Sequence, residues 1–191
     1  MLVQVTDRDY GVRRLTMATD TIALPEAERK RVDAERARVA RALAKQTPVI
    51  HWRPPFVKPG GGIVTSGFGR RTFVNGKPRP QPHLGVDFRA AYGVPVKAPA
   101  AGRVVLAEDH YLPGKSVYID HGRGLFSAFY HLSEFKVQAG EFVEKGRTIA
   151  LAGNTGASTT GPHLHYGLYL NKTWINPLAF QEATEAIRKD F

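Results

Sequence analysis

The sequence predicts a mainly β protein, a small antiparallel β-sheet or sandwich domain preceded by one N-terminal helix. Three observations carry this expectation. Short runs of β-branched and aromatic residues recur from Ile63 to Leu170, each closed by a turn signal. The 19 Gly and 13 Pro among 191 residues are many, as a turn-rich architecture requires. Composition also changes sharply near residue 47, because residues 25–46 hold no glycine and are rich in helix formers.

Taken in order, residues 10–24 mix β-branched and charged side chains and predict an extended segment. Residues 25–46 predict one helix of about five to six turns. Pro25 suits a first helical turn, and Glu26 and Glu28 sit where the macrodipole favours anions. Val32, Val39 and Leu43, with alanines between them, make one thin apolar stripe that packs on the domain or on a partner. The arginine-rich remainder reads as a solvated basic face. Residues 48–62 carry Pro48, Pro54, Pro55, Pro59 and Gly60-Gly-Gly62, and read as a linker or a loop leading into the next domain.

Strands are expected at 103–107, 116–120, 125–131, 148–151 and 163–170. Turns such as Pro113-Gly114, His121-Gly-Arg-Gly124, Gly153-Asn-Thr-Gly156 and Gly161-Pro162 separate them. Residues 177–191 leave room for one short C-terminal helix. The resulting division is 1–47 for the N-terminal strand and Arg/Glu-rich helix and 48–62 for the linker. The main β domain follows at 63–180 and a short tail at 181–191.

Lys and Arg number 27 against 17 Asp and Glu, a net charge of +10 that favours a polyanionic partner. The absence of cysteine excludes a disulfide framework, thiolate metal ligands and a cysteine nucleophile. No run of about 18 apolar residues occurs, so no membrane-spanning segment is expected. Residues 1–11 lack the basic, apolar, small-residue order of a signal peptide. Either the protein stays inside the cell, then, or the sequence is that of a processed or trimmed form.

The chemistry concentrates in the seven histidines: His51, His83, His110, His121, His131, His163 and His165. His83-Leu-Gly-Val-Asp87 sets an imidazole and a carboxylate on one side of the chain, and Gly85 and Pro82 argue against helix there. In His163-Leu-His165, within an apolar β run, a spacing of two puts both rings on one sheet face. Two histidines and one carboxylate, with a fourth position left to water, is the ligand arithmetic of a catalytic zinc. Either of His163 and His165 fits the second imidazole, and the spacing alone does not choose between them. No His-Glu-x-x-His helix is present to supply a glutamate base. The base must then be a histidine, either the remaining member of the pair or His131 in Phe129-Tyr-His-Leu-Ser133. A neutral imidazole can take the proton of a zinc-bound water, and a second can stabilise the charge developing on the carbonyl oxygen.

At these residues the sequence resembles the LytM/lysostaphin-type zinc metallopeptidases. Their signatures are a His-x-x-x-Asp, a downstream Tyr-His-Leu and a terminal Gly-Pro-His-Leu-His. All three stand here in order, at His83–Asp87, Tyr130-His131-Leu132 and Gly161-Pro-His-Leu-His165. Phe68-Gly-Arg-Arg71, Gly93-Val-Pro-Val-Lys-Ala-Pro99, Val143-Glu-Lys-Gly146 and Gly153-Asn-Thr-Gly-Ala-Ser158 match as well. The resemblance implies that His83, Asp87 and His165 hold one zinc ion and that His131 and His163 are the catalytic histidines. It implies a small antiparallel β domain of the lysostaphin/LytM type, and hydrolysis of a peptide cross-link in bacterial peptidoglycan. Arg14-Leu-Thr16 and residues 26–43 look like the strand and helix that precede the catalytic domain in exported proteobacterial members. That favours a D-Ala–diaminopimelate bond over a pentaglycine bridge, and a periplasmic or cell-envelope location, although no export signal stands in this sequence.

Arg71 is a candidate clamp for a substrate carboxylate, since guanidinium binds carboxylates bidentately. The 25–46 helix is a candidate surface for a regulatory protein partner. His51 reads as an incidental surface residue, and His110 and His121 sit at turn signals, His121 as a hydrogen-bonding partner of a neighbouring loop. A purely regulatory module of this family would lack several of the five site residues, and this chain keeps all five. A nucleic-acid-binding β protein should interleave aromatics with Lys and Arg on one strand face. Phe126, Phe129 and Tyr130 have only Arg123 nearby, so no nucleic-acid partner is expected.

Overall fold

The structure is a computed structural model that describes residues 9–17, 24–45 and 47–187. Residues 1–8 of the segment read for a leader, 18–23 of the extended segment, Gln46 of the helix and 188–191 of the tail lie outside the described residues.

The chain is mostly β, as the turn-punctuated sequence predicts. Strand β1 (Val12–Leu15) and helix α1 (Glu26–Ala44) precede β2 (Val64–Ser66), β3 (Arg71–Val74), β4 (Lys77–Pro78), β5 (Val86–Arg89) and β6 (Pro95–Lys97). Three long strands follow: β7 (Gly102–His110), β8 (Gly114–Gly122) and β9 (Leu125–Phe135). Then come β10 (Phe142–Val143), β11 (Thr148–Ala152), β12 (His163–Leu170), β13 (Thr173–Ile175) and helix α2 (Pro177–Ile187). Helix α2 begins inside the span read as the main β domain and continues into the tail.

A ten-stranded sheet runs in the order β10-β7-β8-β9-β12-β5-β2, with β6, β11 and β13 attached off that path. All of its pairings are antiparallel. A smaller sheet, β1-β3-β4, contains the parallel pair β1–β3.

Period-two alternation sorts the long strands into two faces. Val117, Ile119, Phe129, Leu164, Tyr166 and Leu168 pack into the main core with Val86, Phe88 and Phe56. Tyr118, Phe126, Ala128, Tyr130 and Tyr169 line the opposite face, where Leu43 and Val39 of α1 dock. The thin stripe of α1 therefore packs on the domain itself. Polar groups complete that docking: Glu35, 5% exposed, accepts from Arg31 Nε at 2.8 Å and from the Tyr111 N–H at 2.9 Å. Arg38 reaches Glu108 across to β7 at 3.1 Å.

The Pro-rich stretch 48–62 is not a free linker. Trp52 and Phe56 meet Phe180 of α2 edge-on, with ring centroids 5.9 and 5.0 Å away, and Phe56 is 3% exposed. Its apolar anchors, spaced between prolines, hold it against the core.

Candidate metal centre

The register of β5 on β12 builds the site. Asp87 pairs with His165 and Arg89 with His163, and directly opposed residues share a sheet face. This is the face that also receives α1. His83 enters from the loop before β5 and is tied by its own main chain: its N–H bonds Arg70 O at 2.9 Å and its carbonyl accepts Gly69 N–H at 2.8 Å.

Three ligand atoms converge. His83 Nε2 and His165 Nδ1 each lie 3.0 Å from Asp87 Oδ1, and 3.0 Å from each other. Together they form a group that could hold a metal ion. The side chains are nearly sequestered, at 14%, 8% and 11% exposure for His83, Asp87 and His165. Gly85 is required for this approach. A Cβ there would stand 2.6 Å from His165 Nε2 and 2.5 Å from Tyr166 O, so the glycine in His-x-Gly-x-Asp makes room for a ligand ring.

Hydrogen bonds fix which nitrogen each ring presents. His83 Nδ1 lies 2.9 Å from Gly67 O, His163 Nδ1 2.8 Å from Gly161 O, and His131 Nδ1 2.9 Å from Thr155 O. A carbonyl only accepts, so each Nδ1 carries the proton and each Nε2 keeps its lone pair. The donor set fits a small N/O-liganded cation: two imidazoles and one carboxylate with no thiolate, leaving a tetrahedral ion one open position.

His131 and His163 stand beside the cluster. Their rings lie 4.6 Å apart, and His163 Nε2 is 3.9 Å from Asp87 Oδ1. His131 holds φ +61° at a register shift in β9, a left-handed conformation unusual for a non-glycine residue. This break lets Tyr130 and His131 both serve the site, where alternation would turn one of them away. Tyr130 lies flat on His165, centroids 4.8 Å apart and planes 1° from parallel. The loop 153–158 that carries Thr155 is clasped in turn: Thr155 Oγ1 donates to Leu132 O at 2.6 Å and accepts Lys115 N–H at 2.9 Å.

Burial and charge set the protonation states. Burial pushes the Asp87 carboxyl up, but the side-chain contacts with the His165 and His83 rings, and then their charges, outweigh it and hold the group far below the usual carboxylate range. Burial drives His165 down against its side-chain contact with Asp87. Burial, then the neighbouring His163, bring His131 down to about 3, so it is neutral at physiological pH.

The fold thus brings together His83, Asp87, His165, His131 and His163. It does not bring Arg71 to them. Arg71 opens β3 opposite Val12, on the face that carries Arg14 and Phe73. The arginine that reaches the cluster is Arg13, one register step along, with Nη1 3.5 Å from Asp87 Oδ2. Sequence reasoning missed Arg13, the carbonyls of Gly67, Thr155 and Gly161, and the role of Gly85. Only Gly85 and the Gly153–Ser158 turn left a local signal. His110 is buried beside Glu108 at 3.2 Å, and His121 bonds Ala101 O at 2.8 Å and Ser127 Oγ at 2.6 Å, both away from the site.

The family model for peptidase family M23 matches residues 81–177. The chain is 37% identical over 115 residues to the peptidoglycan DD-endopeptidase ShyA of Vibrio cholerae, covering 60% of this chain and 26% of that relative. A crystal structure of a peptidase assigned to M23 from Pseudomonas aeruginosa superposes with a TM-score of 0.73 at 36% identity, over 83% of this chain and 64% of that one. A zinc containing peptidase from Vibrio cholerae superposes at 0.60 with 32% identity, over 65% and 39% of the two chains. The chain spans about a quarter of the length of the curated relatives it matches.

Proposed function

This chain belongs to peptidase family M23, and from that premise we propose that it is a zinc-dependent endopeptidase that hydrolyses peptide cross-links of bacterial peptidoglycan. One observation carries the reading. Three potential ligand atoms face one another within the matched span, beside two further imidazoles whose Nδ1 atoms are engaged by carbonyls. His83, Asp87 and His165 would hold the zinc, and His131 and His163 would act as the catalytic histidines. When bound, zinc supplies a Lewis acid that polarises the substrate carbonyl and lowers the pKa of water.

The chain's own residues divide the remaining work. With both Nδ1 atoms engaged by carbonyls, His131 and His163 are proton acceptors in the resting state. One takes the proton of the attacking water and, once an imidazolium, donates from Nε2 to the developing oxyanion or to the leaving nitrogen. The amide C–N bond breaks, the water oxygen stays on the acyl carbon and the amine leaves protonated. The Tyr130 ring and the Gly85 gap keep the His165 imidazole in place throughout.

The DD-endopeptidase activity named for the Vibrio cholerae relative supports a D-Ala–diaminopimelate bond. The net charge of +10 suits an anionic wall polymer in the periplasm or cell envelope. Among the described residues no helix is long and apolar enough to cross a membrane. The outward face of α1, with Arg29, Lys30, Arg36 and Arg41 exposed, is left for a regulatory partner. Digestion of sacculi followed by mass spectrometry tests the function. Zinc-loaded protein should release products cut at one peptide bond, and chelation should abolish them. Intact cross-links after treatment with zinc-loaded protein would overturn it.

A further inference from the structure

Arg89 is the last residue of β5, two positions beyond Asp87, and pairs across the sheet with His163. Alternation puts it on the face of Asp87, and pairing sets its Cβ about 4.5–5.5 Å from that of His163. Its main chain is pinned. The Arg89 N–H bonds Ile63 O at 2.9 Å, and Gly62 packs so tightly on the Arg89 carbonyl that a Cβ there would come within 1.8 Å of the oxygen. Its side chain is exposed and has no ion-pair or hydrogen-bond partner among the described residues. The base of the side chain is therefore fixed opposite His163 while the rest of it is exposed.

Arg13 and Arg71 are arranged differently. Arg13 is engaged with Asp87 Oδ2, and Arg71 lies on the other face of the small sheet. Arg89 alone of the three extends the line of site residues, running from Asp87 and His165 through His163 to a cation. An amide held between the ligands and His163 with its nitrogen toward His163 would lead along this line.

We infer that Arg89 is a specificity-determining residue that binds a free carboxylate on the carbon bonded to the scissile nitrogen. The inference rests on the endopeptidase reading and names the class of leaving group. In that class the carboxyl carbon lies two bonds, about 2.5 Å, beyond the nitrogen, which is the direction in which Arg89 stands. Diaminopimelate joined through one amine carries such a carboxylate. An internal glycine of a bridge does not, because its carboxyl is itself in an amide. A guanidinium pairs with a carboxylate through charge-assisted hydrogen bonds, so Arg89 separates the two kinds of cross-link.

The test uses zinc-loaded protein and two cross-linked muropeptide dimers, identical except that this carboxylate is free in one and a carboxamide in the other. Wild type should cleave the free acid with a kcat/KM about 10- to 100-fold higher, mostly through KM. Arg89→Gln should cleave both at the carboxamide rate with unchanged zinc content, and Arg89→Lys should recover part of the preference. Arg14→Gln, on the opposite face over Phe73, should keep it whole. An Arg89→Gln enzyme that retains the preference, or that slows both dimers equally, overturns the assignment. So does a wild type that makes no distinction. A wild type that cleaves neither dimer overturns the endopeptidase reading and the assignment with it.

Discussion

Two of the buried carboxylates on one side of the large sheet, Glu35 and Asp87, are partnered in opposite ways. Glu35 of α1 is 5% exposed and Asp87 of β5 is 6% exposed. Glu35 is saturated: one oxygen takes the Arg31 guanidinium, the other the Tyr111 N–H. Asp87 Oδ1 instead faces two ring nitrogens at 3.0 Å, and one of these, His83 Nε2, is shown by its partner carbonyl to carry a lone pair. Tyr118 and Tyr130 stand between the two regions, hydroxyl to hydroxyl at 3.3 Å, and Tyr130 lies on His165. A polar cluster whose donors and acceptors balance holds a structure together. One that presents acceptors to acceptors is built for something that supplies the missing positive charge.

The contrast breaks most easily at Asp87. Partners outside the ligand shell alone are worth about 10–100-fold in metal affinity, so Asp87→Asn should lose more than about 100-fold. Competition with a chromophoric chelator measures it, and near wild-type zinc affinity would remove Asp87 from the ligand set.

A third buried group, His121, sharpens the comparison from the core side. Its partners Ala101 O and Ser127 Oγ satisfy both nitrogens, and burial, its dominant influence, brings it from 6.5 to about 4. A depressed folded-state pKa means that the unfolded chain binds more protons between pH 6.5 and 4. Stability from this group is therefore present above pH 6.5 and lost as pH falls to 4, by about 3 kcal/mol. Urea unfolding at pH 7, 5.5 and 4 should show this slope in wild type and a shallower one in His121→Gln, with zinc affinity at pH 7 unchanged. Equal slopes would mean that His121 is not the group titrating.

Glu35→Ala should cost about 1–3 kcal/mol, because it strands the Tyr111 N–H and frees Arg31, and should leave zinc affinity alone. A drop in zinc affinity would show that the two regions communicate through the tyrosine pair. The smallest effect belongs to Arg38→Ala. Its ion pair with Glu108 joins side chains 43% and 32% exposed, so thermal unfolding should register less than about 1 kcal/mol.

The parts of the fold legible in the sequence are those with local signals. The segments expected at 103–107, 116–120, 125–131, 148–151 and 163–170 each lie within a strand of the structure. Strand β5 escaped notice because Val86-Asp-Phe-Arg89 is too short to show a period, and β12 and β2 hold it extended from both sides. The parallel pairing of β1 with β3 joins distant segments that no local pattern links. The site divides in the same way. Its His-x-x-x-Asp and His-x-His spacings are local and readable. The nitrogen each ring presents, the left-handed backbone of His131 and the reach of Arg13 to Asp87 all depend on carbonyls or strands brought in from elsewhere in the chain.

His83 and His165 stand 82 positions apart in a chain without a cysteine. An ion gripped by both closes a loop of that length in the folded state and has no comparable grip on the unfolded chain. With zinc in place, this protein has a clasp of the kind secreted domains otherwise obtain from disulfides, and it is one that chelation can open without a reductant. Metal supply would then govern how long the molecule survives among proteases as well as how fast it works.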